Sequence, residues 1–143
     1  MLRAHDLMHK LVVTCTPQTD LAEIAATMKD HDIGSVPVVS GPGAAPVGMI
    51  TDRDIVVATA GEKGSTDGTT ANDCMSAPAV CARVDATLDE CARLMGEHRV
   101  RRLPLVNGKG SCVGIISLGD IARRGPKELA ARALLQVSRE DRN

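Results

Sequence analysis

The sequence predicts an α+β protein made of two β-α-β-β-α repeats related by pseudo-two-fold symmetry, followed by a C-terminal helix. Three observations predict it. First, shifted by 67 residues, the chain matches itself: Asp6-Leu7-Met8 falls on Asp73-Cys74-Met75, Leu21 and Met28 on Leu88 and Met95, and Pro37 and Val39 on Pro104 and Val106. One loop residue is then lost, and a shift of 66 aligns Gly48, Thr51 and Asp54 with Gly114, Ser117 and Asp120. Second, each copy holds one helical periodicity among short aliphatic runs. Third, each copy closes on a glycine, two aliphatic residues, a hydroxyl residue and, three residues on, an aspartate. Self-similarity at a fixed period marks a duplicated unit, and a unit this small buries little surface by itself.

Each copy opens on a short apolar strand, Leu11-Val12-Val13-Thr14 or Ala79-Val80-Cys81. A helix follows, with apolar residues at i, i+3, i+4 and i+7: Leu21, Ile24, Ala25 and Met28, then Leu88, Cys91, Ala92 and Met95. Thr87-x-x-Glu90 is a capping box, and Asp20-x-x-Glu23 a looser version of one. The middle strands are Ser35–Val39 and Leu103–Val106. Each contains a proline, which removes a ladder donor and calls for an edge position or a bulge. Glycine-rich turns lead to the strands Val47–Ile50 and Val113–Ile116, and the closing helices start near Asp52 and Leu118. The divisions are a first repeat at 1–58, a polar linker at 59–72, a second repeat at 73–124, and a helix and tail at 125–143. That helix reads from Lys127 to Glu140 behind Gly125-Pro126, with Leu129, Ala133, Leu134 and Val137 on its apolar face.

The chain has 143 residues, 43% of them hydrophobic, and no Phe, Tyr or Trp. The core is therefore aliphatic, and no base can stack on an aromatic ring from this chain, which counts against single-stranded nucleic-acid binding. A net charge of −1 implies no general attraction to nucleic acid or membrane. The charge is uneven: residues 1–72 hold 5 Lys/Arg against 9 Asp/Glu, and residues 73–143 hold 12 against 9, so the second half better suits a phosphate. The 5 cysteines include no C-x-x-C pair and read as buried thiols in a reducing compartment. No run approaches a membrane span or a secretory h-region, so the expectation is a soluble, cytoplasmic protein.

The ordered set of motifs resembles a tandem pair of CBS domains, or Bateman module. It comprises Asp-x-Met before the first strand, Thr16-Pro17 after it, Ile33 to Val39 in the middle and the Gly-h-h-Thr-x-x-Asp close. The second copy repeats it as Ser76-Ala77-Pro78, His98 to Val106, and Gly114 to Asp120. The resemblance covers roughly residues 5–124 and leaves no room for a fused catalytic domain, as in the small stand-alone CBS-pair proteins of bacteria. It implies a non-enzymatic, regulatory adenine-nucleotide binder (AMP, ADP, ATP or S-adenosylmethionine) with two clefts between the repeats. It also implies a disc-like homodimer, head-to-head or head-to-tail, whose ligand state a partner protein reads.

On that resemblance Asp54 and Asp120 accept from ribose hydroxyls, which suits an acceptor-only carboxylate. Thr51 and Ser117 donate to the α-phosphate. Both pairs also have the spacing of helix caps, and the two roles are compatible. A strand running into a helix places N–H groups and a positive dipole end where an anion can sit. Arg53 fits a phosphate, whereas its counterpart Gly119 offers no side chain. Arg101 and Arg102 precede the second middle strand; alternation along a strand turns one of them inward, and Arg101 is favoured. Arg123 and Arg124 read as a solvated helix end. Thr14, Cys15 and Thr16, with Cys81, Ala82 and Arg83, would line the adenine through backbone groups. Val36, Pro37, Val100, Leu103 and Pro104 would add apolar contact, or serve simply as core.

His5, His9, His31 and His98 have no metal-ligand spacing, and no nucleophile signature is present. The competing functions are a nucleotide sensor, a ligand-independent assembly module whose motifs are only caps, and an enzyme lacking any evident general base. Of the two junctions, the one closed by Ser117 and Asp120 is expected to take the more highly charged nucleotide.

Overall fold

A computed structural model of the chain describes residues 1–11, 13–63 and 66–139. In chain order the elements are α1 (Ala4–Leu7), β1 (His9–Lys10), α2 (Leu21–His31), β2 (Ser35–Val39), β3 (Pro46–Thr51) and α3 (Asp52–Val56). A π-helical stretch, Val57–Lys63, continues α3. Then come α4 (Ala71–Cys74), β4 (Ala82–Arg83), α5 (Leu88–His98), β5 (Arg102–Val106), β6 (Cys112–Ser117), α6 (Leu118–Arg124) and α7 (Lys127–Val137).

The chain divides into two compact units: Val12–Ala79, called the first here, and Met1–Leu11 together with Val80–Asn143, called the second. In the first unit β2 and β3 pair antiparallel, with Val36 opposite Ile50 and Val38 opposite Gly48. Cys15 bridges Val38 in parallel on one side, and Ser76 bridges Met49 antiparallel on the other. The second unit repeats this order in a four-stranded sheet, β1-β6-β5-β4. There Ala82 pairs with Leu105 in parallel and His9 with Ile115 antiparallel. The residues that open each repeat in sequence thus pair with the last strand of the other copy's unit.

That pairing explains the glycine of the duplicated motif. A Cβ at Gly48 would meet Met75 Sδ and Ser76 O, both at 2.8 Å; one at Gly114 would meet Met8 Sδ at 2.5 Å and His9 O at 2.9 Å. Only glycine lets the extra strand approach so closely. The proline-bearing strands β2 and β5 are both bulged, just beyond the proline in each, at Val38/Val39 and Leu105/Val106.

Each unit has its own aliphatic core. In the first, Leu21, Ile24 and Met28 of α2 pack on Val36, Val38 and Ile50. In the second, Leu88, Cys91 and Met95 of α5 pack on Leu103, Leu105 and Ile116, joined by Ala4 and Leu7 of α1 and by Ala130 and Ala133 of α7.

Several sequence expectations shift. The opening strands lie elsewhere: Leu11 still donates to Val113 O at 3.0 Å, but the ladder residues are His9 and Lys10, and Val12 lies outside the described residues. The opening stretch of the second copy splits in the same way: Ser76 bridges Met49, and the strand beside the middle one is Ala82–Arg83, counterpart of Cys15 and Thr16, rather than Ala79–Cys81. Asp20 makes no side-chain cap; the first helical N–H, of Leu21, donates to Thr69 O at 3.0 Å. The stretch read as a polar linker is structured wherever described: the helix runs on to Lys63, Thr69 is buried and Thr70 begins α4, with Gly64 and Ser65 outside the described residues. The last helix ends at Val137; Glu140, its expected end, is not among the described residues.

Candidate functional site

The two strand–helix junctions have the same skeleton. Thr51 Oγ1 accepts from Asp54 N–H at 3.1 Å, and Asp54 Oδ2 accepts from Thr51 N–H at 2.8 Å. Ser117 Oγ accepts from Asp120 N–H at 3.0 Å, and Asp120 Oδ2 from Ser117 N–H at 2.8 Å. Both pairs thus form the helix caps that their spacing implied, each closing a capping box with Asp. The first helical N–H is also satisfied: Asp52 donates to Gly34 O at 3.0 Å and Leu118 to Arg101 O at 2.8 Å. Each junction is thereby tied to the start of the middle strand. The closing helices differ in length: α6 has 7 residues, and α3 has 5 before the π-helical stretch that continues it.

The junctions differ in charge. Asp52 Oδ1 accepts from Arg53 N–H at 2.8 Å, so a carboxylate caps the amide where a phosphate would sit. The counterpart of Asp52 is Leu118, which leaves the Gly119 amide without such a competitor. Gly119 also makes room for a cation. A Cβ there would lie 3.1 Å from Arg123 Nη1. The Arg123 guanidinium therefore lies against the start of α6, the place Arg53 occupies by sequence in the first copy. Arg123 and Arg124 are not merely solvated: Arg123 Nη2 donates to Asp120 Oδ1 at 2.8 Å, and Arg124 Nη2 to Asp6 O at 2.9 Å.

Asp120 is buried, its side chain 3% exposed. Besides Ser117 N–H and Arg123, it bonds His9 Nε2 at 2.9 Å through Oδ1. Burial alone would raise its pKa, but the hydrogen bonds from Ser117 and the nearby His9 outweigh that and hold the carboxyl below its ordinary value. His9 was missed by sequence reasoning: it pairs in through β1, 111 residues away, with no local signal. Asp54 is half-buried and, among the described residues, its carboxylate bonds only Thr51 N–H, leaving capacity for a diol.

In the second unit a cavity of about 670 Å³ is lined by Arg101, Arg102, Ser117, Gly119, Arg123 and Lys127, with Leu118, Ala122, Ala130, Ala131 and Leu134 completing its wall. Both Arg101 and Arg102 reach it. Alternation does not select between them, because Arg101 lies just outside β5, in a bend. Arg101, Arg102 and Lys127 have no side-chain partner among the described residues. No carboxylate is in the wall.

The remaining predicted residues fall elsewhere. Thr14, Cys15, Thr16 and Val36 line a smaller hollow of about 160 Å³ in the first unit, with Glu23 and Thr27. Cys81, Ala82 and Arg83 line another, of about 450 Å³, in the second unit. Leu103 is in the core with no exposed surface, Pro104 is buried beside it, and Val100 packs against that core. Pro37 is buried in β2 opposite Met49. Arg53 is exposed. In the three cavities named above, the residues expected around adenine do not share a cavity with those expected around phosphate. Burial pushes the thiols of Cys15, Cys91 and Cys112 up to about 11, with nearby carboxylates adding to it for Cys15 and Cys91. None of the three is poised as a nucleophile. Among the described residues no group of three or more His, Cys, Asp or Glu is placed to hold a metal ion, and no helix is long and apolar enough to cross a membrane.

The CBS domain family model matches residues 4–61 and 71–127. The CBS domain-containing protein YhcV of Bacillus subtilis is 34% identical over 142 residues, covering 99% of each chain. A crystal structure of Hypoxic Response Protein I with two coordinated zinc ions is similar at 32% identity and a TM-score of 0.76, over 87% of this chain and 100% of that one. The CBS domain pair of protein MJ0100, solved with 5′-methylthioadenosine and S-adenosyl-L-methionine, is similar at 27% identity and a TM-score of 0.75, over 85% of this chain and 98% of that one.

Proposed function

Since the chain belongs to the CBS-domain family, with one copy in each half, we propose that it is a non-catalytic regulatory module that binds an adenine-based ligand and passes its ligand state to a partner protein. The observation that carries this reading is the Ser117 junction. Its wall gathers Arg101, Arg102 and Lys127, whose side chains have no partner among the described residues, with a hydroxyl and a glycine amide and no carboxylate in the lining. Unpaired cations repel one another at close range, and a phosphate relieves that while accepting from Ser117 Oγ–H and the guanidinium forks.

The two junctions divide the ligands. The second favours AMP, ADP or ATP, because its cations complement phosphate. The first carries Asp52 and the Asp54 carboxylate, which accepts from Thr51 N–H through Oδ2. It favours an adenosine without phosphate, including the cationic S-adenosylmethionine, with Asp54 on the ribose. Asp120 takes a ribose only by releasing His9 or Arg123 from Oδ1. Thermal-shift measurement on ligand-stripped protein tests the reading. AMP, ATP or S-adenosylmethionine raises the melting temperature in proportion to ligand excess over Kd. No shift with any of them removes the nucleotide reading and leaves the assembly module, which the exposed Val56, Val57 and Leu135 would then serve.

A further inference from the structure

The cavity of the second unit holds more than a phosphate uses. Its volume of about 670 Å³ lies within the roughly 300–1,000 Å³ of small-molecule sites. Its lining carries Ser117 and three cations, Arg101, Arg102 and Lys127, that have no side-chain partner among the described residues. It is also lined by the apolar residues Ala122 of α6 and Ala130, Ala131 and Leu134 of α7, with Lys127 at the start of that helix. Leu134, on the face the sequence marks as apolar, is 45% exposed. From Lys127 to Leu134 the helix advances about 10 Å, the length of an extended chain of several methylenes. α7 follows only the second copy, so this wall has no counterpart in the first.

We infer that this cavity binds an amphipathic anion: an acidic group held by Arg101, Arg102 and Ser117, with a short acyl chain laid along α7 against Ala130, Ala131 and Leu134. The three unpartnered cations require negative charge, and the aliphatic wall requires hydrocarbon. The same chemistry has two sources, a free medium-chain carboxylate or an acyl chain carried on a nucleotide such as acyl-coenzyme A. The inference does not rest on the nucleotide reading, because charge and apolar wall both lie within the second unit.

The test is isothermal titration of the ligand-stripped full chain with decanoate, coenzyme A, decanoyl-coenzyme A and AMP. Binding of decanoate assigns the free carboxylate. Binding of decanoyl-coenzyme A at least about tenfold tighter than coenzyme A assigns the carried chain. In either case Leu134→Asp and Arg102→Glu each weaken acyl binding about tenfold or more. Ala131→Glu, also exposed on that wall, serves if Leu134→Asp fails to fold. Three results overturn the inference: no acyl ligand binds, the acyl chain adds nothing to coenzyme A, or acyl binding ignores both substitutions. If no acyl ligand binds and Leu134→Asp lowers the mass seen by light scattering, the wall belongs to a second copy of the chain. Acyl binding without AMP binding counts against the nucleotide reading alone, and AMP binding without any acyl effect against this inference alone.

Discussion

Replacing Asp120 by Ala costs more stability than the same change at Asp54, although the two occupy equivalent positions. Both variants lose the capping-box bond to a backbone N–H, at 2.8 Å from Ser117 or Thr51, worth about 1 kcal/mol. Asp120→Ala also removes the acceptor used by His9 at 2.9 Å and Arg123 at 2.8 Å. Both partners are mostly exposed, so together they add at most about 1 kcal/mol. Asp120 itself is 2% exposed and Asp54 half-buried, so water replaces the lost acceptor less well at Ser117 than at Thr51, a difference of about 1 kcal/mol. The expectation is about 2–3 kcal/mol for Asp120→Ala and about 1 for Asp54→Ala. Urea unfolding followed by far-UV circular dichroism measures both, because a chain without Phe, Tyr or Trp gives no useful fluorescence. A double-mutant cycle with His9→Ala should show a coupling of about 0.5–1 kcal/mol to Asp120. Equal losses at the two aspartates, together with no coupling to His9, would refute the reasoning.

Other outcomes follow from the same geometry. The folded carboxyl of Asp120 lies below its unfolded value, so its stabilisation is complete above about pH 4 and is lost as pH falls through the lower folded value. Asp120→Asn should flatten that acid limb; an unchanged acid unfolding profile contradicts the assignment. The thiols of Cys15, Cys91 and Cys112, at about 11, should react slowly with a disulfide reagent at pH 8, where roughly one in a thousand is thiolate. Fast labelling of all three in the folded protein would show that burial is wrongly placed. Gly48→Ala and Gly114→Ala force a methyl into Ser76 O or His9 O, and each should cost about 1–3 kcal/mol in urea titration; a neutral result would mean that the added strand does not lie on that glycine.

The repeat, the main helices and the middle and closing strands were legible because they rest on local periodicity and on a motif present twice. α2 and β2 start at the residues their patterns mark, Leu21 and Ser35. The opening strands were misplaced because their pairing is non-local. His9 finds Ile115, and Ser76 finds Met49, through backbone bonds that leave no pattern in the pairing residues themselves. The motif glycines were a visible sign of that approach, but their partners were not. At the candidate site, the hydroxyl and aspartate positions could be read from spacing. The charge balance could not, because it depends on where long side chains point. Arg123 lies against the slot left by Gly119, Arg101 sits outside its strand, and His9 comes in from the far end of the sequence.

Titration calorimetry of ligand-stripped protein with ATP and S-adenosylmethionine tests the central claim most directly. The account predicts saturable binding of ATP that weakens about tenfold or more in Arg101→Ala and Ser117→Ala, charge-assisted contacts being worth about 1.5–3 kcal/mol. It predicts binding of S-adenosylmethionine that responds to Asp54→Asn instead. No binding of either ligand, or binding indifferent to all three substitutions, would contradict it.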